Sequence, residues 1–237
     1  FLPSVFPAIG TGHPHPKSQP ATVLRIADRK VLPLSRALED LKAVQLVFVG
    51  ELHTNPQHHQ AQLAVMTALH KAGATLAVGL EMFQNNNQAI LDHWISGTLE
   101  EKAFQKSYAQ NWGYPWPLYR DIFWYARKEK IPMIGLNVSP HITRQVAREG
   151  FASLSKEQID ELPEVTCQVD AAYMAFIRRS FGMHGHDGKE FVYFCEAQIV
   201  WDAAMASNLL AFLKDNPNHT VVVLAGNGHA WRQGIPE

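Results

Sequence analysis

The chain has 237 residues, 46% hydrophobic and 18% charged, which is enough for one sizeable core and too apolar for disorder. A formal net charge of −1 excludes a general nucleic-acid binder, because such proteins are basic. No apolar run approaches the roughly 20 residues needed to span a bilayer. The chain opens on Phe1 rather than Met and closes on a polar stretch with no final helix, so it reads as a processed or trimmed form. Cys167 and Cys195 form no CxxC pair and fit either one disulfide or two free thiols. Twelve histidines keep metal and haem in view.

Residues 1–20 hold five prolines with His13 and His15 between them, an extended arm without a core of its own. Thr22 to Val31 reads as a hairpin turning near Asp28-Arg29-Lys30. Ser35 is expected to cap a short helix ending near Lys42. The run Leu46-Val47-Phe48-Val49, ending at Gly50, predicts a buried parallel strand, followed at once by Glu51 and His53. Asn55 and Pro56 predict the start of a helix over 55–72, with Leu63, Met66 and Leu69 on one face and Gly73 as its stop. His58 and His59 sit in its first turn, beside the strand tip.

A second strand, Thr75 to Leu80, is again followed by a carboxylate, Glu81. Helix is expected over Gln84–Gly97, with Ile90, Leu91 and Trp94 inward. Residues 98–118 hold Phe104, Tyr108, Trp112, Tyr114 and Trp116, and read as an aromatic wall or lid rather than a regular element. Pro117 opens a helix through Lys130. A third strand over Ile131–Leu136 is tipped by Asn137 and Ser139, and Pro140 opens a helix to Gly150. Residues 151–165 form a polar connection. A helix follows over Gln168–Phe181, then a loop with His184 and His186. A long helix covers about 190–214, with Gln198, Asp202 and Met205 on one face. The last strand, Thr220 to Ala225, is tipped by Gly226, Asn227, Gly228 and His229. The expectation is an α/β fold: a mainly parallel sheet flanked by helices, one domain over 21–237, with a helical cap-like insertion at about 151–190.

Parallel strands align their carboxyl ends, where open α/β sheets bind ligands. Glu51, His53, Glu81 and His229 are therefore expected to converge on one cleft, with glycines at Gly50, Gly226 and Gly228 allowing the close approach. Two imidazoles and two carboxylates suit a divalent metal with an open position for water. Without metal, the same four groups suit a general base and its orienter. The plainer alternative is a buried hydrogen-bonded network that pins the sheet end. No nucleophile elbow, HExxH, Walker loop or GxGxxG follows a strand.

The strings GELHTNPQHHQAQ, GLEMFQ, EAQIVWDAAMA and GNGHAWRQGIP, in this order, resemble the ChaN family of haem-binding, iron-regulated lipoproteins, related to Tiki-type metalloproteases and erythromycin esterases. The resemblance spans about residues 40–237. It implies an α/β fold, a role in bacterial haem uptake, and attachment on the periplasmic side of the outer membrane through a lipobox cysteine that this sequence does not contain. It also implies a homodimer holding haem through a tyrosine, with an outer-membrane haem receptor as a partner. Under it, Glu51, His53, Glu81 and His229 occupy the polar cleft of the superfamily. No motif fixes the tyrosine. Tyr173 is chosen because Arg178, Arg179, His184 and His186 lie near it in sequence and basic groups suit propionates; Tyr193 and Tyr114 are alternatives. The bland reading of Tyr173 is helix packing. Two functions follow: a haem binder of iron acquisition, and a metal-dependent hydrolase using the strand-tip cluster.

Overall fold

The computed structural model describes residues 22–163, 165, 167–180 and 188–236. The expected arm over 1–20, with His13 and His15, and the loop histidines His184 and His186 lie outside the described residues.

A two-stranded antiparallel hairpin comes first, β1 (Thr22–Arg25) and β2 (Lys30–Pro33). Helix α1 (Leu34–Lys42) starts directly after Pro33 and has no side-chain cap, so Ser35 sits inside it rather than capping it. The main sheet has four strands: β3 (Leu46–Glu51), β4 (Leu76–Gln84), β5 (Met133–Asn137) and β6 (Thr220–Gly226). All pair in parallel, in the order β3-β6-β4-β5. The last strand in sequence thus slots between the first two, which makes the tips of β3, β6 and β4 immediate neighbours. Glu51 is level with Gly226, and Leu80 with Leu224, so Glu81 ends up beside Ala225. Glu81 lies within β4, which runs on to Gln84, rather than just beyond the strand.

The strands are apolar on both faces because helices cover both. Val78, Leu80, Met82, Val222 and Leu224 join one core with Met66, Trp94, Phe104 and Phe123. The alternate residues Ala77, Val221, Val223 and Ala225 join a second core with Met205, Leu209 and Leu213. This is the period of two of extended chain, applied to a sheet buried on both sides. The first core is built by α2 (Pro56–Lys71), α3 (Gln88–Ser96), α4 (Glu101–Asn111) and α5 (Trp116–Glu129). Asn55 caps α2 as expected, its side chain accepting from the Gln57 amide at 2.9 Å. Gly97 closes α3 with φ of +89°, a left-handed position that glycine adopts without strain.

The aromatic stretch 98–118 corrects one expectation. It contains α4, because Phe104 and Tyr108 are four residues apart and so share one buried face. Those two rings are core, stacked, tilted or edge-on against Phe83, Trp94 and Phe123, whereas Trp112 and Tyr114 lie beyond the helix and pack half-buried on the margin of the same core.

The opposite face carries α6 (Pro140–Glu149) and the long α9 (Lys189–Asp215). Two shorter helices precede α9: α7 (Lys156–Asp160), with a Ser155 capping box, and α8 (Ala171–Ser180). A final turn, α10 (Asn227–Ala230), begins at the end of β6. Among the described residues no helix is long and apolar enough to cross a membrane. Cys167 and Cys195 are free thiols, which decides against the disulfide.

Strand β5 stands at the sheet edge, where unpaired backbone groups need partners. Gln88 supplies them: its amide nitrogen donates to the Met133 carbonyl at 2.8 Å and its oxygen accepts from the Gly135 amide at 2.9 Å. Asn85 donates to the Gly135 carbonyl at 3.1 Å. One side-chain amide thus mimics a neighbouring strand. Gln88→Ala should strand both buried backbone groups and cost about 1–3 kcal/mol, read as a lower urea midpoint with an unchanged slope.

Candidate functional site

The strand tips meet. Glu51 is 1% exposed and lies at the end of β3. Its Oε1 accepts from His53 Nδ1 at 2.7 Å and from the Tyr119 hydroxyl. Its Oε2 accepts from Gln62 Nε2 at 2.7 Å and faces His59 Nδ1 at 3.2 Å. An ionised carboxylate has about four acceptor sites; three are filled by hydrogen bonds, and His59 stands beside the fourth. Burial alone would raise the Glu51 pKa, but the bonds from His53, Tyr119 and Gln62 outweigh it and hold the group below its ordinary value. Glu51 therefore stays charged, and its oxygens are turned to its own network rather than to the cleft.

Helix α2 delivers much of this network. His59 is one turn before Gln62, and its Nε2 donates to the His53 carbonyl at 3.0 Å. Gln62 also donates to the Val49 carbonyl at 3.1 Å. His58 Nδ1 accepts from the Leu52 amide at 2.8 Å, fastening the loop between strand and helix. Tyr119 reaches in from α5, and burial beside Glu51 raises its phenol far above the ordinary range.

His53 is the partly open member, its side chain 25% exposed. Trp112 meets its ring edge-on at 5.0 Å and Tyr114 tilts against it at 4.8 Å. Burial lowers its basicity, but Glu51 and Glu81 overcome that and raise its pKa, against opposition from His229. Glu81 faces it across the tip of β6, where Gly226 donates its amide to Glu81 Oε2 at 2.6 Å. A methyl group on Gly226 would stand 3.0 Å from His53 Cε1 and 3.2 Å from its Nε2, so the bare backbone forms the wall between His53 and Glu81.

His229 completes the cluster from α10. Its Nδ1 lies 2.7 Å from Asp202 Oδ1 on α9, and its Nε2 3.8 Å from Glu81 Oε1. Burial works against the cation, yet Asp202 and Glu81 together raise the His229 pKa to about 9. Burial raises the Asp202 pKa too, with His229 opposing it. The neighbouring face of α9 carries Gln198, whose buried side-chain oxygen has no donor among the described residues.

The expected convergence of Glu51, His53, Glu81 and His229 is thus present, but the four are not equivalent. Glu51 is an anchor held by three hydrogen bonds, whereas His53, Glu81 and His229 face one another. Asn137, expected at the same cleft, instead donates to the Glu81 carbonyl at 2.8 Å and accepts from the Val138 amide. Among the described residues no group of three or more His, Cys, Asp and Glu side chains is arranged to hold a metal ion. Gln62 and Tyr119 escaped the sequence reading. Gln62 had a signal, three residues after His59 on the same helix face; Tyr119, 68 residues from Glu51, had none.

A separate cavity of about 640 Å³ opens between α8, α9 and the C-terminal segment. Tyr173, Phe176 and Arg179 line it from α8, Ile199, Asp202 and Ala206 from α9, and Ile235 closes it. Asp202 therefore borders both the cavity and the strand-tip cluster. Of the basic residues expected near Tyr173, Arg179 lies on the wall, while Arg178 stacks over Phe191 at 4.5 Å. The alternative tyrosines are elsewhere: Tyr193 packs on Gly150 and under Lys189, and Tyr114 sits against His53.

The family described as haem-binding uptake, Tiki superfamily, ChaN matches residues 37–237. The chain belongs to the ChaN family. Among solved structures, the fold matches ChaN of Campylobacter jejuni, described with cofacial haem binding, with a TM-score of 0.71 and 19% identity over 91% of this chain and 83% of that one. An erythromycin esterase, EreC, gives a TM-score of 0.52 with 12% identity over 83% and 64% of the two chains. The C-terminal region of Pasteurella multocida toxin gives 0.50 with 11% identity over 84% and 21%. These likenesses establish a shared fold. No curated protein sequence matches significantly.

The His229 pair carries a pH signature. A histidine whose pKa rises on folding stabilises the protein fully below its unfolded value, 6.5, and loses that contribution as pH climbs through about 9. Stability should fall across this window, His53 acting in the same direction. Urea midpoints measured through the window should decline less in Asp202→Asn than in the unaltered protein.

Proposed function

We propose that this ChaN-family chain binds haem in the cavity between α8 and α9, with the Tyr173 phenol as iron ligand. The observation that carries the reading is the placing of one tyrosine and one arginine beside an apolar surface of Phe176, Ile199, Ala206 and Ile235, in a cavity whose remaining border includes Asp170 and Asp202. The volume, about 640 Å³, suits a ligand of this size, and the apolar flanks suit a porphyrin face. The Tyr173 ring packs on Phe176 at 5.9 Å, which orients the phenol. Tyrosine is an ordinary haem ligand, and a guanidinium matches a propionate carboxylate. Bound haem would supply the iron; the chain's part is to orient the phenol, counter the propionate charge at Arg179 and exclude water with the apolar flanks. The family description supports haem uptake as the setting.

The same reading extends to a homodimer with the cavities facing across a two-fold axis, supported by the cofacial haem described for the Campylobacter jejuni relative. It places the protein on the periplasmic side of the outer membrane, exchanging haem with a receptor there. A metal-dependent hydrolase is not carried forward, because Glu51 is consumed by its own network.

Titration with haem should produce a Soret band at saturating stoichiometry. Tyr173→Phe keeps the packing and should shift or abolish that band, while Tyr193→Phe and Tyr114→Phe leave it unchanged. Arg179→Ala should weaken binding by about tenfold, the scale of one charge-assisted contact. An unaltered spectrum in Tyr173→Phe would remove Tyr173 as the ligand.

A further inference from the structure

A second cavity, of about 530 Å³, lies at the carboxyl ends of β4 and β5, on another side of α9 from the first. The two are separated by the helix itself: Ile199, Asp202 and Ala206 face one, and Ala204, Ser207 and Asn208 face the other. Its chemistry differs sharply from the first. Asn85, Asn137, Ser139, Glu161, Ser207 and Asn208 contribute to its lining, and no basic side chain does.

The amides here have a defined direction. Asn208 Nδ2 donates to the Leu136 carbonyl at 2.8 Å and Asn85 Nδ2 to the Gly135 carbonyl at 3.1 Å. A carbonyl only accepts, so each amide must turn its nitrogen to the strand, which leaves its oxygen as an acceptor for whatever enters. Ser139 Oγ is paired with His141 Nδ1 at 2.8 Å, and Asn137 is spent on the backbone. Glu161 stands exposed at the rim, and among the described residues it has no basic partner. The cavity therefore offers two amide oxygens and a carboxylate at a place where parallel sheets present ligand sites.

We propose that this cavity is a second binding site, independent of haem, for a small hydrophilic cation of the alkylamine class. An ammonium group supplies three donors and a positive charge, which is what two amide oxygens and an uncompensated carboxylate lack. An anion meets no basic side chain on this wall and is opposed by Glu161, and a neutral diol leaves the carboxylate unanswered.

Calorimetric titration of the full chain with putrescine tests this, with 1,4-butanediol and succinate as matched neutral and anionic probes. Putrescine should bind, the diol about tenfold more weakly or worse, and succinate not at all. Glu161→Gln, an exposed change that leaves the core intact, should weaken putrescine by about tenfold. Ser207→Asp adds a second carboxylate to the wall and should tighten it by a similar factor. The proposal is overturned by no putrescine binding at millimolar concentration, by equal affinity for putrescine and the diol, or by a Glu161→Gln titration matching the unaltered protein.

Discussion

A charged carboxylate sealed under the end of a β-sheet is the constraint on which this molecule turns. Glu51 has lost its water, and an isolated ion in that position would cost several kcal/mol. Its stability there rests on donors that arrive from three directions: His53 from the strand's own loop, Gln62 from α2, and Tyr119 from α5. Two helices must therefore pack at fixed height along the sheet for the charge to be tolerated. The aromatic core beneath them, from Phe104 to Phe123, holds that height. The result is a histidine whose orientation is set from behind and whose free edge looks into the cleft.

The other half of the fold is organised by α9. One long helix borders the apolar cavity with Tyr173, the acceptor-lined cavity with Asn208, and the strand tips through Asp202. Asp202 is the point of contact between the first cavity and the His229 side of the cluster. Because its carboxylate faces a ring nitrogen at 2.7 Å, a change in its surroundings on one side is felt as a change in charge balance on the other. The ChaN fold here thus keeps its polar centre and the Tyr173 cavity adjacent, joined at Asp202.

The sequence revealed position better than role. Four apolar runs ending in polar residues were enough to place Glu51, His53, Glu81 and His229 at neighbouring tips, since β6 lies between β3 and β4. Nothing local separated Glu51 from Glu81. Each follows an apolar run, and only the arrival of α2 and α5 makes the first an anchor and leaves the second facing a histidine. Asn137 looked equivalent too, but it sits on the edge strand, one step farther from the cluster, and its amide is drawn to the Glu81 backbone. Helix α4 was hidden because a dense aromatic composition masked the spacing of Phe104 and Tyr108. Arg178 and Arg179 are adjacent in sequence, so only their helical phase, about 100° apart, sends one to the cavity and the other to Phe191.

Gly226 has a bearing on how this centre can diversify. Its main chain, not any side chain, stands between His53 and Glu81, at the end of the strand that lies between β3 and β4. Mutation can repaint the aromatic border at Trp112 and Tyr114, whereas any side chain at Gly226 would press on His53 itself. The slot between histidine and carboxylate therefore tolerates change at its entrance far better than along its glycine wall.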